Sequence, residues 1–557
     1  MTIDPKDLRT LLIRVTAITL AVRLVPLIGQ DLGVHEAALA LGLGDAGHEP
    51  WTQVTRGLLL AGGGFSAFAR LIPLLCEIAT PALAVGFARA AGWGAIPGLL
   101  AGLLLAMGPL GLDMGERADG VAPVTMASLA ALALLRSGLR DGDTRKTALS
   151  ALPIALVGVL APSVLLLVPG AVYLTARSVT GDAPKRAGLV AWLAAAIAVV
   201  GLRLGVVGSL SPHAPLSASW WLGTATMDPS GWAETPPWLA AVQALGAVLP
   251  TGTRGALARQ LDLQNASLPA LVFGGGLVLT ALAGLWRGRV LPDPIALPPS
   301  EQTGWQTLGV NVSVPRDLGD RDLVPLALPL ALVLGFAAWS AWQGRVDGLT
   351  DAIAVARTCA VLLVGVGLSA RALPRPQKNV EVKGAKAGWQ LAATAAVVFG
   401  IGASHLLAQT QAADRQSARK VARFARENLG QKGAMLALGG RGMPVLFLLD
   451  PYLHEKRLAW SSLDPSEALE HLTTILAQKP DAVVLVGDRD ALGPTDETSQ
   501  PREELESVWQ FLLPTLNASG WQQVEDSHRF LGHTAVLTFV RQTEPQVRPQ
   551  LAPGQAP

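Results

Sequence analysis

From the N-terminus to about residue 411 the chain alternates long apolar runs with short polar stretches. A helix that crosses the hydrocarbon core of a bilayer needs roughly 17–25 mostly apolar residues. Runs that reach or approach this length lie near Leu11–Ile28, Ala69–Phe87, Ala95–Leu112, Val121–Leu135, Thr147–Leu160, Ser163–Thr175, Ala187–Val207, Leu268–Trp286, Leu323–Trp342, Thr350–Ala370 and Trp389–Leu407. They predict about eleven spanning helices, several of them short or interrupted by proline. The two runs that meet at Ala161–Pro162 predict either a tight hairpin or one kinked helix. The first run has no small-residue cleavage site and is expected to be retained as a span.

Arginine and lysine fall on every second connection. Lys6, Arg9 and Arg14 belong to the first basic stretch; on the same side stand Arg89, then Arg136, Arg140, Arg145 and Lys146, then Arg177, Lys185 and Arg186. Arg287 and Arg289 follow, and finally Arg371, Arg375, Lys378, Lys383 and Lys386. Basic connections stay on the cytoplasmic side. The N-terminus is therefore expected inside and, with an odd number of spans, the C-terminus outside.

Three outer segments stand out. The connection Gly29–Phe68 is too long for a turn and contains Asp31, His35, Glu36, Asp45, His48 and Glu49. The short connection Asp113–Gly120 reads DMGERADG. The stretch from Gly208 to about Ser267 holds Trp220, Trp221, Trp232 and Trp238, residues that favour the membrane–water boundary and predict interfacial helices. An aromatic belt without a ligand is the commoner use of such tryptophans; a stacking platform for a substrate is the alternative.

After about Ala412 the pattern becomes that of a soluble domain. QSARKVARFARENLG has helical periodicity and ends in glycine. The apolar runs AMLALGG, PVLFLLD, DAVVLVGD and HTAVLTFV read as strands alternating with helical stretches around Ser466–Gln478 and Pro501–Leu516, which predicts a small α/β domain. GGRGMP lacks the spacing and the following lysine of a phosphate-binding loop and reads as a turn. The predicted organisation is thus a transmembrane domain over residues 1–411, with outer loops at 29–68 and 208–267, and an extracytoplasmic α/β domain over 412–543. A Pro- and Gln-rich tail, residues 544–557, is expected to be disordered.

Composition agrees. Of 557 residues 50% are hydrophobic and 15% charged, against about 25% charged in soluble domains, and the mean hydropathy is +0.39. This excludes a string of soluble domains. With 44 basic and 42 acidic residues the formal charge is +2, too balanced for a nucleic-acid partner. Cys76 and Cys359 both sit in apolar runs and read as buried thiols.

Charged groups in this setting carry the functional signal. Acidic clusters on one membrane face suit base chemistry, or a divalent metal held beside a phosphate leaving group. Glu77 and Arg357 lie inside predicted spans, where a charge is costly unless it is paired or lines a cavity. A structural ion pair and a functional site are both open for them. Arg203 and His405 sit nearer the outer ends of their spans, placed to hold a lipid-linked phosphate; for Arg203, snorkelling to the headgroups is the equal alternative.

The order of these features resembles the GT-C class of membrane glycosyltransferases, in particular the protein O-mannosyltransferases and lipid A aminoarabinose transferases. RLVPLIGQDLGVHEAALALGLGDAG is similar to that family's exit from the first span, where an arginine precedes an acidic pair and a small-residue helix. FARLIPLLCEIATPALAVGFARAAG resembles its second span, with Arg70 at the start. GLDMGERADGVAPVTMASLAALALLR resembles the connection into its fourth span. The specific part covers roughly Arg23–Arg136, and its motifs are short.

The resemblance implies transfer of a sugar from a polyprenyl-phosphate-linked donor to a lipid, glycan or protein acceptor on the outer face of the cytoplasmic membrane. Its Asp-Glu pair falls on His35-Glu36, so His35 stands where the family has its catalytic aspartate. Imidazole still accepts a proton near neutral pH. Asp119 matches the acidic residue before the fourth span, with Glu116 as the alternate, and the family's lysine-proline-proline stretch is replaced by TRGLLLAGGGF. Donor phosphate or lipid contacts are assigned to Arg357, Arg203, His405, Arg70 and Glu77. Two other classes compete: a scaffold or lipid-carrier-binding subunit of the same architecture, and a secondary transporter, for which related halves and broken midplane helices are expected.

Overall fold

The structure, a computed structural model, describes residues 5–29, 37, 50–62, 66–115, 120–207, 235–252, 267–290, 316–343, 349–372, 384–411, 414–429, 432–449, 458–461, 464–488, 503–524, 529–531 and 534–541. The chain divides into two units, residues 1–29 with 42–411 and residues 30–41 with 412–557.

The first unit is helical. It opens with α1 (Pro5–Gly29), α2 (Pro50–Ala61), α3 (Leu71–Ala90), α4 (Ala95–Met107) and α5 (Pro109–Gly115). There follow α6 (Val121–Asp141), α7 (Thr144–Leu149), α8 (Leu152–Gly158), a 3-10 turn at Pro162–Leu167, α9 (Val168–Arg177), α10 (Asp182–Leu202) and a π turn at Arg203–Val207. The last helices are α11 (Pro237–Val248), α12 (Leu268–Arg287), α13 (Asp320–Trp342), α14 (Thr350–Ala372) and α15 (Gly384–Gln411). Among the described residues six helices are long and apolar enough to cross a membrane: α3, α6, α10 with its π turn, α12, α13 and α14. The other five apolar runs form α1, the broken pair α4–α5, the short pieces α7–α8, the 3-10 turn with α9, and α15. This is a multi-pass membrane protein.

Burial shows which faces meet lipid. Ile197 on α10 is 73% exposed and Leu279 on α12 is 69% exposed, positions that a helix facing water would fill with polar residues. In α14, by contrast, 89% of the apolar window is buried, so this helix is apolar all round because it is central. It packs against α4, α6, α11, α12 and α13.

The runs joined at Ala161–Pro162 form a hairpin. Thr147 on α7 and Thr175 on α9 both border Gly188 of α10, so the two arms start and finish at one level. The basic connections also gather at one end of the bundle. Arg140 Nη1 donates to the Arg89 carbonyl at 3.2 Å, and Arg287 Nη1 to the Arg371 carbonyl at 3.4 Å. Buried Asp322 accepts from Trp93 Nε1 at 3.3 Å and pairs with Arg136 at 3.6 Å.

From residue 412 onward the second unit contains α16 (Asp414–Leu429), β1 (Ala434–Leu438), α17 (Gly439–Leu449), β2 (Leu458–Ser461), α18 (Pro465–Ala477), β3 (Ala482–Asp488), α19 (Glu503–Ala518), β4 (Trp521–Gln523), β5 (Arg529–Leu531) and β6 (Thr534–Arg541). The strand order is β2-β1-β3-β6-β4, with β5 also paired to β6. β1 runs parallel to β2 and β3, whereas β6 is antiparallel to β3, β4 and β5. Alternate residues cover both faces: Leu436, Leu485 and Phe539 meet Leu472 and Leu512, while Met435, Val484 and Val536 meet Val421 and Val445. This is a three-layer α/β arrangement.

Two local expectations are corrected. Pro444–Leu449 folds as the body of α17 instead of a strand, and GGRGMP opens that helix instead of forming a separate turn. Parallel β1 and β2 need a crossover connection, which is usually a helix. Pro444–Leu449 has three leucines and only Val445 is β-branched, so it suits that helix.

Candidate functional site

Near the end of the bundle opposite the basic connections lies a buried polar layer built from three helices and one helix break. Arg23 of α1, Glu77 of α3 and Arg357 of α14 are exposed by only 2%, 1% and 2%. Arg23 Nη2 pairs with Glu77 Oε2 at 3.4 Å. The same guanidinium donates to the carbonyls of Ala106 at 3.3 Å and Leu112 at 3.2 Å. Arg357 Nη2 donates to the Leu105 carbonyl and stands within Coulomb range of Glu77 and Arg23.

The sequence explains why carbonyls are on offer there. α4 stops where Gly108 turns extended, and Pro109, the first residue of α5, has no N–H to give back to Leu105. Within an apolar bundle those acceptors need donors, and arginine supplies several in a fixed fork. Among the described residues two guanidiniums stand against one carboxylate, which makes that set formally cationic. Arg23 Nε, Arg357 Nη1 and Glu77 Oε1 meet no hydrogen-bond partner among the described residues. Such a layer is chemically suited to an anionic group.

The other candidate residues divide between those the structure places and those outside its described residues. His405 is buried on α15, one turn beyond Gly402, which packs on Met107 at the end of α4. Arg70 is buried at the start of α3. Arg203 opens the π turn and donates to the carbonyls of Val159 at 3.0 Å and Leu160 at 3.3 Å, at the tip of the hairpin. Its guanidinium is thus turned inward and does not snorkel. His35, Glu36, Glu116 and Asp119 lie outside the described residues, as do Trp220, Trp221 and Trp232. Trp238 sits on α11 and is 67% exposed. Among the described residues no three His, Cys, Asp or Glu side chains converge as metal ligands. Cys76 and Cys359 are both free and buried.

Glu77 and Arg357 do share one layer, but the direct partner of Glu77 is Arg23, which sequence reasoning did not single out as a site residue. The signal was present: an arginine inside the first apolar run is as costly as one inside any other.

A multi-pass helical unit with buried charges near one end, followed in sequence by an α/β unit, is a fold that this chain shares with solved membrane glycosyltransferases. The chain is similar to a solved structure of ArnT from Cupriavidus metallidurans bound to undecaprenyl phosphate, with a TM-score of 0.53 and 11% identity over 94% of this chain and 97% of that one. It is also similar to the arabinofuranosyltransferase AftD from mycobacteria, with a TM-score of 0.50 and 14% identity over 96% of this chain. There the chain spans 40% of the AftD length. No protein-family model and no curated protein matches the sequence. At these identities the likeness is one of fold.

Proposed function

We propose that this protein is a membrane glycosyltransferase that moves a sugar from a polyprenyl-phosphate-linked donor to a lipid, glycan or protein acceptor at the outer face of the cytoplasmic membrane. The observation that carries this is agreement of fold, over nearly the whole of both chains, with an ArnT solved bound to undecaprenyl phosphate. The cationic layer of Arg23 and Arg357 supports it, because guanidinium forks suit phosphate oxygens.

In an inverting transfer the acceptor hydroxyl attacks the anomeric carbon and its proton passes to Glu36 or His35. The bond from that carbon to the phosphate oxygen breaks, and polyprenyl phosphate leaves with the electron pair. Asp119, or Glu116 in its stead, assists. Arg357, Arg203, His405 and Arg70 are the groups assigned to the leaving phosphate and its lipid, with Glu77 holding the arginine layer. A divalent metal would have to be held by the acidic residues of the outer connections. The proposed orientation has the N-terminus in the cytoplasm and the α/β unit outside.

One observation favours a second function: His35 occupies the place of the expected catalytic aspartate, as in a subunit that binds a lipid carrier without turning it over. The test is transfer of labelled sugar from defined polyprenyl-phosphate donors by full-length protein in nanodiscs. Glu36→Gln is expected to lower the rate by about 10²–10⁴-fold, the worth of a general base, and His35→Asp to keep or raise it. No transfer from any donor, with the cellular role indifferent to Glu36→Gln, would establish the scaffold instead.

A further inference from the structure

α4 ends because Gly108 adopts φ −67° and ψ 144° and because proline follows it. In an unbroken helix the N–H of residue 109 would serve the Leu105 carbonyl, and that of residue 110 the Ala106 carbonyl. Both acceptors instead face arginines from distant helices, Arg357 at Leu105 and Arg23 at Ala106. Arg23 also reaches across the break to Leu112 of α5, so one guanidinium holds both sides of the bend. Glu77 fixes that guanidinium from α3. Gly111 completes the fit: a β-carbon there would collide with Arg357 Nη2, so α5 lies against the guanidinium only because residue 111 has no side chain.

We propose that Arg23 and Arg357 are positioning residues that set the angle at which α5 leaves α4. α5 leads directly, in sequence, into the acidic stretch that carries Glu116 and Asp119. The functional consequence rests on the transferase function proposed above; the structural one rests on the geometry of the bend. A staple that merely holds helices together would affect stability when lost. A positioning pair does more: its loss redirects α5 in a protein that is still folded.

The experiment uses full-length protein in nanodiscs with a thiol introduced by Gly115→Cys at the end of α5. The native thiols are buried and do not compete for a membrane-impermeant maleimide. Gly111→Ala, which alters no charge, and Arg357→Lys, which keeps the charge but loses the fork, are each expected to raise the labelling rate several-fold. In an active preparation Gly111→Ala, which removes no group assigned to the donor, should lower kcat by roughly 10²-fold with KM little changed, the scale of a misplaced group. Pro109→Ala, added to Arg357→Lys, returns an N–H to the Leu105 carbonyl. It is expected to restore the thermal midpoint while labelling stays altered. Labelling that remains at the wild-type rate in both single variants overturns the proposal, as does altered labelling with unchanged kcat in an active enzyme. Altered labelling in a protein whose wild type transfers no sugar supports the positioning of α5 and counts against the transferase function.

Discussion

Arg23 on α1 and Glu77 on α3 face each other across 3.4 Å with side chains about as buried as any in the protein, 1% exposed each. Neither is tolerable alone in an apolar bundle, and the pair joins two helices whose partners lie 54 residues apart.

Removing one member leaves a buried uncompensated charge. Glu77→Ala is expected to cost about 3–5 kcal/mol in thermal or denaturant unfolding in detergent. Replacing both residues by leucine should recover only part of this, because Ala106 and Leu112 then lose their donor. Strictly additive single effects would show that the two do not interact.

Arg203→Ala removes the donor shared by the Val159 and Leu160 carbonyls at the hairpin tip. Losing a charged hydrogen-bond donor of this kind is worth about 1.5–3 kcal/mol. Hydrogen exchange should quicken around residues 159–161 and leave α14 unchanged. A uniform rise across the first unit would contradict a local clamp.

Gly367 on α14 and Gly284 on α12 let two backbones touch. A β-carbon at Gly367 would stand 2.8 Å from the Ala281 carbonyl carbon, and one at Gly284 would stand 2.7 Å from the Gly367 carbonyl carbon. Gly367→Val is expected to lower stability by about 1–3 kcal/mol through overpacking, read as a reduced yield of monodisperse protein and a lower midpoint. An unchanged midpoint would mean that α12 and α14 part without cost.

In the α/β unit Asp464 caps α18. The Ser466 hydroxyl, at 2.6 Å, and then the Ser466 amide, at 2.9 Å, hold its carboxyl below the ordinary carboxylate range. A pKa depressed in the folded state gives stability that is present above the unfolded value, roughly 3.9, and is lost as pH falls through the folded one. Protection factors in the first turn of α18 should therefore decline below about pH 4 in the wild type. Asp464→Asn keeps an acceptor without a titrating charge and should show no such decline.

Much of the membrane unit was legible residue by residue. The spans α3, α6, α12, α13 and α14 are marked by length and apolarity, which the bilayer tests one helix at a time. Glu77 and Arg357 were legible as costly for the same reason, since desolvation belongs to a side chain and its depth. The alternation of basic connections likewise required them to share one end of the bundle, where Arg140 reaches Arg89 and Arg287 reaches Arg371.

Partnership was not legible. Glu77 takes Arg23 in preference to Arg357, and Arg357 takes a carbonyl freed by Pro109, because packing of α1, α3, α4 and α14 decides which donors come within reach. Whether Leu160 begins a kink or a hairpin depended on both arms finding the same face of α10 at Gly188. The run Pro444–Leu449 is short and apolar, and periodicity alone does not separate a buried strand from a buried helix at that length. The parallel pairing of β1 with β2 resolved it, since a chain that must return to the same edge of a sheet in the same direction needs a crossover. Amino-acid identity determined the cost of each group in its solvent; long-range contact alone determined who offsets that cost.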